Sequence, residues 1–210
     1  FHYLRDIWKN TTENDALIGV GMTGIASGRV GKLDLKEAAD EVRHVNNEVS
    51  AKIGISFAAR CTTIKPSGTS SIVLGTSSGI HAWHNDYYLR RMRIGKNEAI
   101  YEYLKDNHPE LIEDDLLNSK QAIVCIPQKA PEGSILRTEN VMDMLERVKQ
   151  FNVDWVRNGY RLGSNANNVS ATVSIKVTEW DLVGGWMWKN KSSYNGLSVL
   201  PYDTGNYKQA

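Results

Sequence analysis

Apolar residues recur at helical spacing most regularly between Asn140 and Val156. There Val141, Met144, Leu145, Val148, Phe151, Trp155 and Val156 fall on one face of a 3.6-residue repeat. The pattern predicts an amphipathic helix. A second is predicted where Leu35, Ala38, Ala39, Val42, Val45 and Val49 repeat in the same way, with Asp34 placed to cap it. Between Val169 and Val177 the period drops to two. Val169, Ala171, Val173, Ile175 and Val177 alternate with Ser170, Thr172, Ser174 and Lys176, which reads as a strand with one buried face. Ser56 to Lys65 reads as another strand, closed by Pro66, and "SIVLG" after it as a short helix.

The remaining segments obey the same rules. "YYLRRMRI", Tyr87 to Ile94, reads as a strand, "NEAIYEYLKDNHPE" as a helix stopped by Pro109, and "QAIVCIP" as a strand covered on both faces. A helix from about Glu179 to Tyr194 and a strand at "LSVLPYD" complete the pattern. "FHYLRDIWK" at the N-terminus reads as the end of a helix, with "TTEND" as its polar exit. Strand and helix alternate through the second half, which predicts an α/β fold with parallel strands and crossover helices. No repeat or linker interrupts the pattern, so residues 1–210 are read as a single segment.

Composition narrows the function. Lys and Arg number 25 against 24 Asp and Glu, a net charge of +1, so no whole-chain field would hold nucleic acid or an anionic membrane. No apolar run approaches the ~20 residues that a membrane helix needs, and a soluble, cytoplasmic protein is expected. Cys61 and Cys125 form no CxxC pair and lie far from any histidine cluster, which argues against a metal site. Both read as buried packing residues, a disulfide being the lesser alternative. The opening on Phe1 and the ending "YDTGNYKQA" suggest a segment of a longer polypeptide.

Two segments carry candidate chemistry. "GVGMTG" contains a formal G-x-G-x-x-G at Gly19, Gly21 and Gly24, but the apolar run before it is only "ALI". The acidic residues at the right distance, Asp40 and Glu41, fall inside a predicted helix rather than at a strand end. A glycine-rich bend at a close approach is the favoured reading, and a nicotinamide oxidoreductase is the rival. "KPSGTSS", Lys65 to Ser71, combines a stiff proline, a bare Gly68 and the hydroxyls of Ser67, Thr69, Ser70 and Ser71. A helix starting there would aim its unpaired N–H groups at an anion. It is not a Walker loop, because no G-K-[ST] ends it. From the residues alone a phosphate cradle and an ordinary Ser/Thr turn stand level.

Further candidates keep a plain alternative beside them. His81 in "SGIHAWH" reads as a hydrogen-bonded loop histidine or as a pocket residue. Ser170 and Thr172 line a lumen or an exposed strand face. Arg90, Arg91 and Arg93 read as a counter-charge to phosphate or, the favoured alternatives, as a solvated strand face or partners of helix carboxylates. Trp180, Trp186 and Trp188 read as helix packing.

The stretch "KPSGTSSIVLGTSSGIHAWHNDYYLRRMRI", with "GVGMTGIA" before it and "NVSATVSIK" and "NGLSVLPYD" after it, resembles the C-terminal half of a ribonucleotide reductase catalytic barrel. The nearest class is the adenosylcobalamin-dependent one, because "GLSVLPYD" lacks the adjacent tyrosines of reductases that receive their radical from a second protein. The resemblance implies part of a ten-stranded α/β barrel, in two antiparallel halves, each parallel within itself. It implies reduction of ribonucleotides to deoxyribonucleotides by radical chemistry, with adenosylcobalamin as cofactor of the complete enzyme. It assigns Ser67, Gly68, Thr69, Ser70 and Ser71 to the phosphates of a ribonucleoside di- or triphosphate.

The family's N-x-C-x-E radical loop does not occur in this sequence. No catalytic residue is therefore expected in this chain, and the segment alone should be inert. The resemblance further implies the remainder of the reductase chain or a partner subunit, and a homodimer when complete. The alternatives are a non-catalytic split-subunit or scaffold partner of a reductase and a plain phosphate-ligand module.

Overall fold

The computed structural model describes residues 2–160 and 165–202. In chain order its main elements are α1 (Asp6–Asp15), α2 (Leu35–Ile53), α3 (Gly68–Val73), β1 (Tyr87–Gly95), α4 (Ala99–Asn107), β2 (Ile112–Asp114), β3 (Gln121–Lys129), α5 (Val141–Phe151), β4 (Thr172–Ile175), α6 (Trp180–Lys189) and β5 (Ser198–Pro201). They divide into two compact units, residues 2–83 with Glu132–Tyr202, and His84–Pro131.

The first unit is built on four extended segments that run parallel in sequence order. Val20 bridges Thr62, Ile64 bridges Val169, and β4 pairs with β5 in the register Thr172↔Ser198 to Ile175↔Pro201. The bonds Thr63 N–H to Val20 O (3.0 Å) and Ser170 N–H to Ile64 O (2.8 Å) join the inner segments. The predicted strand over Ser56–Lys65 thus narrows to its bridging residues. It is also tied sideways: Thr62 Oγ1 donates to Trp155 O (2.9 Å) and Trp155 Nε1 to Thr63 O (3.1 Å).

α5 and the π-helical turn after it, Asn152–Val156, supply the core. All seven residues of the predicted stripe are buried, with Leu145 and Val148 fully so. Each such side chain contributes about 1.5–3 kcal/mol relative to exposure. They meet Val169, Ala171, Val173 and Ile175, the buried face of the alternating segment. That alternation ends at Ile175, because the Lys176 N–H turns to Glu179 Oε2 (2.9 Å) and Val177 is 92% exposed.

α2 starts where Asp34 accepts from the amides of Lys36 and Glu37 (3.0 and 3.1 Å) and stops at Gly54, φ +73. Its apolar stripe is only half used. Leu35 and Ala39 are buried, whereas Val45 and Val49 are exposed and line an apolar groove of about 470 Å³ with Ile18, Val20 and Ile53.

Three further sequence expectations change. "TTEND" belongs to α1, whose polar faces are all solvated and whose end is marked by Ala16 at φ +41. α6 stops at Lys189, and of its three tryptophans only Trp186 is buried. The second unit is antiparallel: β3 lies between β1 and β2 and runs against both. Helical and strand periods do not encode pairing direction, and β1, α4 and β2 alone look like a parallel crossover. β3 buries Ala122, Ile123, Val124 and Cys125 in succession, as its unbroken apolar run predicts. No helix among the described residues is long and apolar enough to cross a membrane.

Candidate functional site

The second parallel segment ends at the fully buried Ile64, and Lys65 and Pro66 carry the chain off the array. Ser67 takes the N-cap position of α3 with extended backbone angles, but its side chain makes no capping bond. Its own N–H donates to Ser78 Oγ (2.9 Å). Gly68 opens an exposed first turn with Thr69 and Ser70, whose N–H groups helix geometry leaves without an acceptor in the helix. A Cβ on Gly68 would meet nothing within 4 Å, so the space in front of the turn is open. Ser71 is different. Its side chain is buried and its hydroxyl donates back to Ser67 O, so it shapes the turn from inside.

Beneath this turn lies a second layer, residues 76–81. Gly79, at φ +56, passes so close to the turn that a Cβ there would sit 2.6 Å from Lys65 O. The segment 22–28 braces that layer. Gly24 N–H donates to Ser77 O (2.9 Å) and Ile25 N–H to Gly79 O (3.1 Å). Thr23 Oγ1 donates to Ser77 O (2.9 Å) and accepts from Gly79 N–H (2.9 Å). Ser27 Oγ lies 2.9 Å from Thr76 Oγ1 and accepts from Trp83 Nε1 (3.0 Å).

His81 joins the layer to the strand array. Its Nδ1 lies 3.2 Å from Ser78 O, and its Nε2 accepts the Thr172 N–H of β4 at 3.0 Å. Only an unprotonated Nε2 can accept, so the ring is neutral with its proton on Nδ1. Burial pushes the imidazole pKa below its ordinary value; the Ser78 carbonyl opposes this, and the Arg147 charge adds to the lowering.

The structure therefore gathers Ser67, Gly68, Thr69 and Ser70 at one open turn and brings His81 to Thr172. Ser170 sits half-buried beside Ile64, its amide held by the Ile64 carbonyl. The Thr172 side chain is exposed, and its amide, not its hydroxyl, meets His81. Lys65 Nζ bonds Asn168 Oδ1 (2.5 Å) next to the turn. An anion at the turn would meet hydroxyl donors, first-turn amides and a helix-end dipole worth ~0.3–1 kcal/mol.

The glycine pattern has another use. A Cβ on Gly19 would reach 3.0 Å from Thr63 Cγ2, and one on Gly24, at φ +76, 2.4 Å from Thr76 Oγ1. These are close-approach positions, and the next element along the chain is a 3₁₀ turn, Ile25–Ser27, not the α-helix that a dinucleotide fingerprint requires.

The arginines and cysteines serve structure. In the antiparallel unit Arg91 pairs with Glu113 (3.6 Å) and Arg93 with Asp115 (2.9 Å), carboxylates of β2 and the loop after it rather than of a helix. Cys125 donates to Glu113 Oε1 (3.4 Å) and burial raises its thiol pKa; Cys61 is buried in the first unit. Sequence reasoning missed Thr23, Ser27, Thr76 and Ser78, the bracing hydroxyls. The one visible signal was the density of Ser and Thr in "MTGIASG" and "GTSSGIH".

No family model matches the chain. Curated relatives do. It is 24% identical to an adenosylcobalamin-dependent ribonucleoside-triphosphate reductase of Lacticaseibacillus paracasei, over 100% of this chain and 31% of the relative. It is 27% identical to the Euglena gracilis protein of that name, over 96% of this chain and 28% of the relative. A crystal structure of a B-12 dependent (class II) ribonucleotide reductase superposes with a TM-score of 0.75 at 21% identity, covering 96% of this chain and 32% of that one. The chain spans about a third of the length of the curated relatives it matches. The fold is thus mixed α/β and matches part of a ribonucleotide reductase. From end to end the sequence is similar to the adenosylcobalamin-dependent class, as its motifs imply.

Proposed function

We propose that this chain is the phosphate-gripping part of an adenosylcobalamin-dependent ribonucleotide reductase, whose complete form reduces ribonucleotides to deoxyribonucleotides. The observation that carries this reading is the Ser67–Ser70 turn. It borders open space while a buried second layer holds its backbone, in a chain related over its whole length to such reductases. Thr69 and Ser70 offer hydroxyls and first-turn amides to the phosphates, Gly68 lets them approach, and Ser67 and Ser71 fix the turn's shape. A ribonucleoside triphosphate is favoured over a diphosphate, since the relatives are named triphosphate reductases.

Catalysis by this chain is positioning: the turn anchors the substrate's charged tail so that its sugar lies where radical chemistry occurs. Adenosylcobalamin supplies the radical when bound. His81 has both ring nitrogens on backbone groups, so it offers no free nitrogen to the cofactor's cobalt. The radical cysteine belongs to the rest of the enzyme, since no N-x-C-x-E loop occurs in this sequence.

That remainder, on a longer chain or a partner subunit, completes residues 1–210 as one segment of a barrel. The half-used stripe of α2 and the four-segment parallel array, whose outer members Ile18–Val20 and β5 have no further strand partner among the described residues, support this.

Calorimetric titration of the chain with a ribonucleoside triphosphate tests the reading. Replacing Ser67, Thr69 and Ser70 together by alanine should weaken binding at least ~10-fold, since each lost charge-assisted bond is worth about 1.5–3 kcal/mol. Unchanged affinity would overturn it.

A further inference from the structure

We propose that His81 is a positioning residue that fixes the phosphate turn to the strand array, and so sets where a bound substrate sits relative to β4. The inference rests on the phosphate-site reading above and adds to it a residue that touches no substrate.

Three hydrogen bonds run in series. Ser67 N–H at the start of the turn donates to Ser78 Oγ, Ser78 O faces His81 Nδ1, and His81 Nε2 accepts from Thr172 N–H on β4. The segment 22–28 holds residues 76–79 by other bonds, but those bonds lead to the glycine-rich segment and not to β4. The start of the turn is tied to the segment before β4 by Ser170 N–H to Ile64 O and by Lys65 Nζ to Asn168 Oδ1, and His81 adds the link from the layer beneath the turn to β4 itself. A core histidine that merely fills space would not bridge two backbone segments 91 residues apart with opposite ends of its ring. Imidazole suits the task because one nitrogen donates while the other accepts, across a rigid ring. The charged group acting on the ring is Arg147 of α5, which is itself paired with Glu139 at 2.6 and 2.8 Å.

The test uses the whole chain, isotope-labelled, with ribonucleoside triphosphate as probe. Imidazole nitrogen shifts in the unaltered chain should report the Nδ1–H tautomer. His81→Ala should speed hydrogen exchange at the Ser67 and Thr172 amides at least ~10-fold and weaken triphosphate binding ~10-fold, the scale of one or two lost hydrogen bonds. His81→Gln, whose amide oxygen can accept from Thr172, should recover most of both. His81→Phe, which keeps the ring and loses its nitrogens, should not.

Recovery by His81→Phe instead of His81→Gln would overturn the proposal, as would unchanged Ser67 exchange and affinity in His81→Ala. Failure of the unaltered chain to bind triphosphate would overturn the phosphate-site reading, and the positioning role with it. In that case accelerated Ser67 exchange in His81→Ala would still show the strut as a structural tie, which separates the two failures.

Discussion

Two segments of this chain combine glycine with hydroxyls and are bonded in opposite ways. Residues 19–28 carry four glycines and the hydroxyls of Thr23 and Ser27, residues 65–71 carry Gly68 and four hydroxyls, and each resembles a known way of holding phosphate. In the first, the amides of Gly24 and Ile25 and the hydroxyl of Thr23 are bonded to residues 77–79, and Gly24 is packed against Thr76. In the second, Thr69 and Ser70 stand exposed in the first turn of a helix, and a Cβ on Gly68 would meet nothing within 4 Å. What separates a ligand site from a brace is where the donors go, and glycine content is silent on that. The brace nonetheless supports the proposed site, because it holds the layer on which the turn rests.

The largest effect should come from placing a side chain on the brace. Gly24→Val forces a Cβ to within 2.4 Å of Thr76 Oγ1 at a left-handed φ. Thermal unfolding should show a loss of about 2–4 kcal/mol. Gly68→Ala in the open turn should change stability by less than about 1 kcal/mol while weakening triphosphate binding, because the methyl enters the anion's space. Equal stability losses at the two glycines would break the distinction.

A smaller step sharpens it through hydroxyls alone. Thr23→Val removes a donor from Ser77 O and an acceptor from Gly79 N–H. Denaturant titration should register about 1–3 kcal/mol. Thr69→Val should stay within about 0.5 kcal/mol in stability, as exposed substitutions do, and lower affinity severalfold.

The smallest effect is a pH slope. The folded state lowers the His81 pKa, mainly by burial, so the unfolded chain takes up a proton at the ordinary value near 6.5 where the folded one resists. Stability contributed by the neutral ring is therefore complete above about pH 6.5 and declines as pH falls toward the folded pKa. Denaturation midpoints at pH 7.5 and 5.5 should differ more for the unaltered chain than for His81→Gln. The difference between the two proteins isolates the ring. An identical slope in both would remove His81 as the source of the pH dependence.

Much of the fold was legible. The stripe from Val141 to Val156 and the alternation from Val169 to Ile175 are dense enough that packing could bury only one face of each, and those faces form the core. The Asp34 cap was equally readable, since its bonds are local. Pairing direction was not, because β3 satisfies the same apolar pattern whether its neighbours run with it or against it. Nor were the bracing bonds, which join residues 49 to 56 positions apart through side chains too small and common to signal a partner. The turn itself was visible as composition, but its exposure depended on those unseen bonds. His81 was visible as a histidine in a loop; its reach to Thr172 spans 91 residues and leaves no local trace.

The most direct measurement is backbone amide chemical-shift mapping of the labelled chain during titration with a ribonucleoside triphosphate. The amides of Gly68, Thr69 and Ser70 should move most and saturate together, while those of Gly19, Gly21 and Gly24 stay nearly fixed. Largest shifts at Gly19, Gly21 and Gly24, or no saturable shift at the turn, would contradict the assignment of the phosphate site.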